Sequence, residues 1–174
     1  EITNMLEYKD EKTGSYIKIT PAEDYSISVT VDFNSDILPE QTATLCKLSD
    51  FEKEISQART FVFVREIEPL LELGLIKGGD LNNAIVIYDR ETSQENMDKL
   101  CMLANGDNRN AKELGYIQHK PLVWDNEPAR HKLLENIVDF ALVRRPIKEH
   151  IVATRPGHTI NNKFARLLNN KQND

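Results

Sequence analysis

His131, Glu135 and Asp139 stand four residues apart. On an α-helix, at about 100° per residue, they fall within about 80° of one another and form one polar stripe. An imidazole nitrogen and a carboxylate oxygen one turn apart reach the same ion, and both are acceptable zinc ligands. The same spacing also makes an i,i+4 hydrogen bond, so the pair alone leaves both readings open. A second cluster, Arg155-Pro156-Gly157-His158, reads as a turn that presents a cation and an imidazole just before a helix. There a histidine serves as a general acid or steadies a developing oxyanion, or is simply a surface residue. Arg59-Thr60-Phe61 is the third candidate, because a hydroxyl at a strand start donates to an oxyanion as readily as it fills space. His119 and His150 lack such neighbours and read as surface histidines, and the single tryptophan, Trp124, reads as a packing anchor.

These residues need elements to hold them. Leu133, Leu134, Ile137, Val138, Ala141 and Leu142 predict an amphipathic helix after Pro128. Its apolar face centres on Leu134, Ile137 and Ala141, with the polar stripe along the margin. Asn161 to Leu168 predicts a last helix and Ile151 to Ala153 a short strand before the turn. Tyr25 to Phe33 alternates without a fault, which predicts a half-buried strand with Tyr25, Ile27, Val29, Val31 and Phe33 on one face. Tyr16 to Ile19 predicts a strand before it, the two joined through a turn at Pro21 to Asp24. Ser49-Asp50 predicts the cap of a short helix carrying Phe51, Ile55 and Ala58. Thr60 to Val64, Ile67 to Leu73 and Asn83 to Tyr88 predict a β-α-β unit, its helix stopped by Gly74. Residues 91–127 read as a long connection with one helical turn at Met97 to Leu103, and 169–174 as a polar tail. Strands and helices in this order favour an α+β two-layer sandwich over 1–168, with 59–88 as an inserted β-α-β unit.

The chain has 174 residues, 40% of them hydrophobic, which is enough to bury one real core and excludes collagen-like or wholly disordered readings. With 22 Lys and Arg against 28 Asp and Glu, the net charge of -6 argues against nucleic acid and against anionic membrane surfaces. No apolar run approaches the roughly 18 residues of a membrane span. Two cysteines, Cys46 and Cys101, fit a reducing compartment. A nucleotide-binding module lacks support, because no Gly-rich phosphate loop is present. The opening at Glu1, in a charged stretch, suggests an excised domain.

Four segments in one order carry a resemblance. They are Ala58-Arg59-Thr60-Phe61-Val62-Phe63, Gly78-Gly79-Asp80-Leu81-Asn82-Asn83-Ala84-Ile85-Val86, Arg130-His131-Lys132-Leu133-Leu134 and Pro156-Gly157-His158-Thr159-Ile160-Asn161-Asn162-Lys163. From end to end the chain resembles the C-terminal half of the zinc-dependent UDP-3-O-acyl-N-acetylglucosamine deacetylase of lipid A biosynthesis. In that family two similar α+β domains face each other, with zinc and substrate between them.

The resemblance implies a cytoplasmic amidohydrolase that releases acetate from a UDP-linked, 3-O-acylated glucosamine. It implies that His131 is a Zn2+ ligand and that Glu135 stands where a second ligand, normally Asp, belongs. Thr60 would stabilise the oxyanion, His158 would assist that charge or protonate the leaving amine, and Asp139 would hold His158. Lys132 would contact the substrate's polar head and Arg155 the diphosphate. Phe61, Phe63, Ile67, Ile76, Leu81 and Val86 would line the acyl-chain passage of the inserted unit. The family pattern has Gly before the Asp, where this chain has Val138. The third zinc ligand and the carboxylate base belong to the N-terminal half, so this half alone would be inactive. Some members continue into a 3-hydroxyacyl-carrier-protein dehydratase, and the polar tail would suit such a junction. The competing class is a non-catalytic α+β binding domain on the same scaffold.

Overall fold

A computed structural model describes residues 4–75, 83–104, 107–117, 120–141, 143 and 147–170. The chain divides into two compact units: Glu1–Phe33, Glu40–Ala58 and Asn126–Asp174 form the first, and Asn34–Pro39 with Arg59–Asp125 form the second.

The first unit is built on strands β1 (Leu6–Asp10), β2 (Ser15–Pro21), β3 (Ser26–Val31), β4 (Gln41–Leu45) and β8 (Glu149–Thr154), with short helix α1 (Phe51–Glu54) and long helices α4 (Glu127–Ala141) and α5 (His158–Asn170). The alternation in β3 buries Ile27, Val29 and Val31, and turns Ser28 and Thr30 to the other face. There they pair with Thr44 and Thr42 at 2.9 and 2.8 Å. Each inward aliphatic side chain contributes about 1.5–3 kcal/mol on burial. The sheet order is β1-β2-β8-β3-β4, with β8 antiparallel to β2 and parallel to β3. Strands β2 and β3 are therefore not neighbours, as the turn at Pro21 to Asp24 suggested. Alternation fixes which face a strand buries, but its partner is a long-range choice, and β8 takes the place between them.

Helices α4 and α5 cover the buried face of the sheet through Ala129, Leu133, Phe140, Ile160 and Phe164, the two aromatic rings meeting edge-on at 6.1 Å. The core-facing stripe of α4 is Ala129, Leu133, Asn136 and Phe140, with Asp139 beside it. This corrects the expected apolar face: Ala141 is exposed, Leu134 and Ile137 are only half-buried, and Val138 is 59% exposed. Counting apolar residues misplaced the face because α4 also buries polar side chains, among them Asn136 and Asp139, whose partners lie on the same helix and on α5. Asp50 makes no side-chain cap, and α1 is a single turn after a 3-10 turn at Leu48–Asp50.

The second unit holds β5 (Thr60–Phe63), α2 (Val64–Glu72), β6 (Ala84–Tyr88), α3 (Gln94–Leu103) and β7 (Gly115–Ile117). Strands β5 and β6 are parallel, joined through α2, and β7 adds antiparallel to β6. Gly74 ends α2 at φ 66°, where Gly74 N and Leu75 N donate to Leu71 and Leu70. Residues 91–127 are more than a connection. Ser93 caps α3 by accepting from Asn96 N at 3.2 Å, and Met97, Leu100 and Cys101 then pack with Val86, Tyr88 and Ile117. The period in this segment is short and interrupted by polar residues, so its helix is set by packing. Among the described residues no helix is long and apolar enough to cross a membrane.

Candidate functional site

Helix α4 brings His131 and Glu135 together. Nδ1 of His131 lies 3.1 Å from the Ala58 carbonyl oxygen, so that nitrogen carries the proton and donates it. Nε2 faces Glu135 Oε1 at 3.2 Å; protonated, it donates to that oxygen, and in the neutral ring it offers a lone pair. Lys132 Nζ donates to the other oxygen of Glu135 at 2.7 Å. Burial opposes ionisation of Glu135, but hydrogen bonds from His131 and Lys132, with their charges, outweigh it and hold the carboxyl down at about 2. Both side chains are mostly shielded, at 15% and 18% exposed.

Ala58 is set by the fold. Its N–H donates to Ile55 O at 2.9 Å, and Arg130 Nη1 donates to the Glu54 carbonyl at 2.6 Å and to the Glu54 carboxylate at 3.0 Å. Arg130 Nε donates to Asn126 Oδ1 at 2.9 Å, tying the same guanidinium to the start of α4. Arg130 and the Ala58 carbonyl escaped the sequence reading. The run Arg130-His131-Lys132 contained the first, but no spacing rule reveals a carbonyl that is 73 residues away.

The implied zinc can be tested against these groups. When the ring is neutral, the Nε2 lone pair and the ionised carboxylate oxygen 3.2 Å away are two acceptors, an arrangement that a shared cation in place of the proton satisfies. The carbonyl behind Nδ1 is the outer support that zinc-binding histidines commonly have. The pair fits as two ligands. Among the described residues no group of three or more His, Cys, Asp or Glu side chains converges on one point.

One turn further along α4, Asp139 is buried, at 7% exposed. Its Oδ2 and Oδ1 lie 3.0 and 3.2 Å from His158 Nδ1, and Asn161 Nδ2 donates to Oδ2 at 2.8 Å. His158 is the first residue of α5 and its side chain is 67% exposed. The turn before it runs through Arg155 at φ 47°, with Arg155 N donating to Thr30 O at 2.8 Å and its guanidinium paired with Asp32. His150 is not the lone surface histidine expected: its Nδ1 meets Ser26 Oγ at 2.7 Å. Spacing along one strand cannot show a partner on the neighbouring strand.

In the second unit Thr60 is exposed at the start of β5, and Phe61 meets Phe63 edge-on at 6.3 Å. Phe63, Ile67 and Val86 are interior, at 1%, 8% and 0% exposed. In this structure Ile67 and Val86 serve the core of the unit, the role that apolar residues at those spacings also predict. Ile76, Leu81 and His119 lie outside the described residues.

The family model for UDP-3-O-acyl N-acetylglycosamine deacetylase, LpxC, matches residues 1–102 and 94–170. The chain belongs to this family. It is 58% identical over 167 residues to the bifunctional enzyme LpxC/FabZ of Bacteroides thetaiotaomicron, covering 96% of this chain and 36% of that protein. The Porphyromonas gingivalis protein of the same name is 48% identical over 175 residues, covering 99% of this chain and 38% of the relative. The UDP-3-O-acyl-N-acetylglucosamine deacetylase of Myxococcus xanthus is 34% identical over 151 residues, covering 86% and 40%. The chain thus spans well under half the length of each of these LpxC relatives. The α+β fold that the family resemblance implied is the fold observed.

Proposed function

We propose that the complete protein carrying this chain hydrolyses the N-acetyl group of UDP-3-O-acyl-N-acetylglucosamine in the cytoplasm, and that this chain supplies one side of a zinc-dependent active site. The observation that carries the reading is the His131 and Glu135 donor pair, with a carbonyl behind the imidazole, one helical turn before a buried carboxylate that holds His158. Membership of the deacetylase family supports the reaction and substrate class.

His131 offers Nε2 and Glu135 offers Oε1 to the metal. The chemistry that zinc supplies at such a site is Lewis-acid polarisation of the amide carbonyl. Lys132 holds the far oxygen of Glu135, which keeps that carboxylate ionised and oriented. As water adds to the carbonyl, negative charge grows on its oxygen, and the Thr60 hydroxyl donates a hydrogen bond to it. His158, gripped at Nδ1 by Asp139, has Nε2 left to deliver a proton to the nitrogen as the C–N bond breaks. The products are acetate and the free glucosamine amine. Lys132 and Arg155 place cations for the sugar head and the diphosphate. Phe61, with Ile76 and Leu81, contributes apolar surface for the acyl chain. The N-terminal half of the same protein supplies the third ligand and the carboxylate base, so this chain is inactive alone. The relatives named as bifunctional support a fused dehydratase downstream.

The test is zinc-dependent deacetylation by the complete protein, with His131→Ala as the paired variant. Activity that disappears with the variant supports the reading. No activity in the zinc-loaded complete protein points to a non-catalytic binding domain on the same scaffold.

A further inference from the structure

Asn161 lies three residues after His158 on α5 and is 0% exposed. Its Nδ2 donates to Asp139 Oδ2 at 2.8 Å, while its Oδ1 is buried with no hydrogen-bond partner among the described residues. Turning the amide over would set Oδ1 against the carboxylate, acceptor facing acceptor, so Asp139 decides the orientation. An apolar side chain of the same size would avoid burying that orphan oxygen, and the amide's one side-chain hydrogen bond is therefore what its presence here secures. The backbone restrains the amide as well, since Asn161 N donates to Gly157 O at 3.0 Å, inside the turn that carries His158.

We propose that Asn161 is a positioning residue: by occupying Asp139 Oδ2 from the buried side, it fixes the carboxylate plane so that both oxygens grip His158 Nδ1. The grip keeps the ring proton on Nδ1 and directs Nε2 to the reacting atoms. The catalytic consequence rests on the deacetylase reading above, whereas the effect on the ring does not.

Two measurements on Asn161→Leu and Asn161→Ser keep these separate. The first is the 15N spectrum of the His158 ring in this chain, assigned with His158→Gln, at about pH 8, above the ordinary imidazole range. The expected wild-type ring carries its proton on Nδ1, and both variants shift toward the Nε2 tautomer. A wild-type Nε2 tautomer, or tautomer ratios unchanged in the variants, overturns the proposal. The smaller Asn161→Ser is read if the leucine variant does not fold, and the wild-type spectrum decides if neither folds. The second measurement is the kinetics of the complete protein. Here kcat is expected to fall about 10- to 100-fold with KM held within about twofold, because misorienting a proton-transfer group acts on the chemical step. A change confined to KM, or an unchanged kcat, overturns the catalytic half. A wild-type protein with no deacetylase activity overturns the deacetylase reading instead, and the ring spectrum still decides the role of Asn161.

Discussion

Replacing Asp139 by alanine separates a buried polar contact from an exposed one. Asp139 is 7% exposed and Asn161 is 0% exposed, so the variant leaves the Asn161 amide buried without its acceptor. An orphaned buried donor costs about 1–3 kcal/mol. The His158 side of the contact adds little. That imidazole is 67% exposed, water replaces the carboxylate, and surface ion pairs are worth about 0–1 kcal/mol. The sum is about 1–4 kcal/mol for Asp139→Ala, against at most about 1 kcal/mol for His158→Ala. For a chain of this size that corresponds to a melting temperature lower by about 2–16 °C in the first variant and at most about 4 °C in the second. Urea unfolding of the chain at neutral pH, followed by circular dichroism, measures both. If the two variants lose equal stability, or if Asp139→Ala costs less than about 0.5 kcal/mol, the contact is not the buried, amide-supported one described above.

Four further outcomes are expected. A zinc chelator will leave the unfolding midpoint of this chain unchanged, because α4 packs into the apolar core through Ala129, Leu133 and Phe140; a midpoint that drops on chelation argues that the ion is structural. Cys46 is exposed and will react at once with a thiol reagent, whereas Cys101 is buried and will react only on unfolding. Burial raises the Cys101 thiol, as it raises the Tyr25 and Tyr116 phenols. Their contribution to stability is therefore complete below the ordinary thiol value of about 8.5 and declines as pH rises through the folded-state values. Alkaline titration of the folded chain by tyrosinate absorbance checks this, and early ionisation of both phenols would contradict it. Gly74→Ala will lose about 1 kcal/mol, since φ is 66° there and no neighbour within 4 Å can offset the strain, and chemical denaturation reads the difference.

The sequence by itself determined what is periodic and local. Four-residue spacing put His131 and Glu135 on one side of a helix, and strict alternation buried Ile27, Val29 and Val31, because backbone geometry dictates both patterns. The turn before α5 was equally legible from Pro156 and Gly157. Only the tertiary structure decided that β8 lies between β2 and β3, that Asn136 and Asp139 are buried while Val138 is exposed, and that Ala58, Arg130 and Asn161 support the two histidines. These contacts join residues from 22 to well over 100 positions apart, through hydrogen bonds that no period encodes. A polar side chain is placed inside by the partner waiting there, and that partner exists only once the chain has folded.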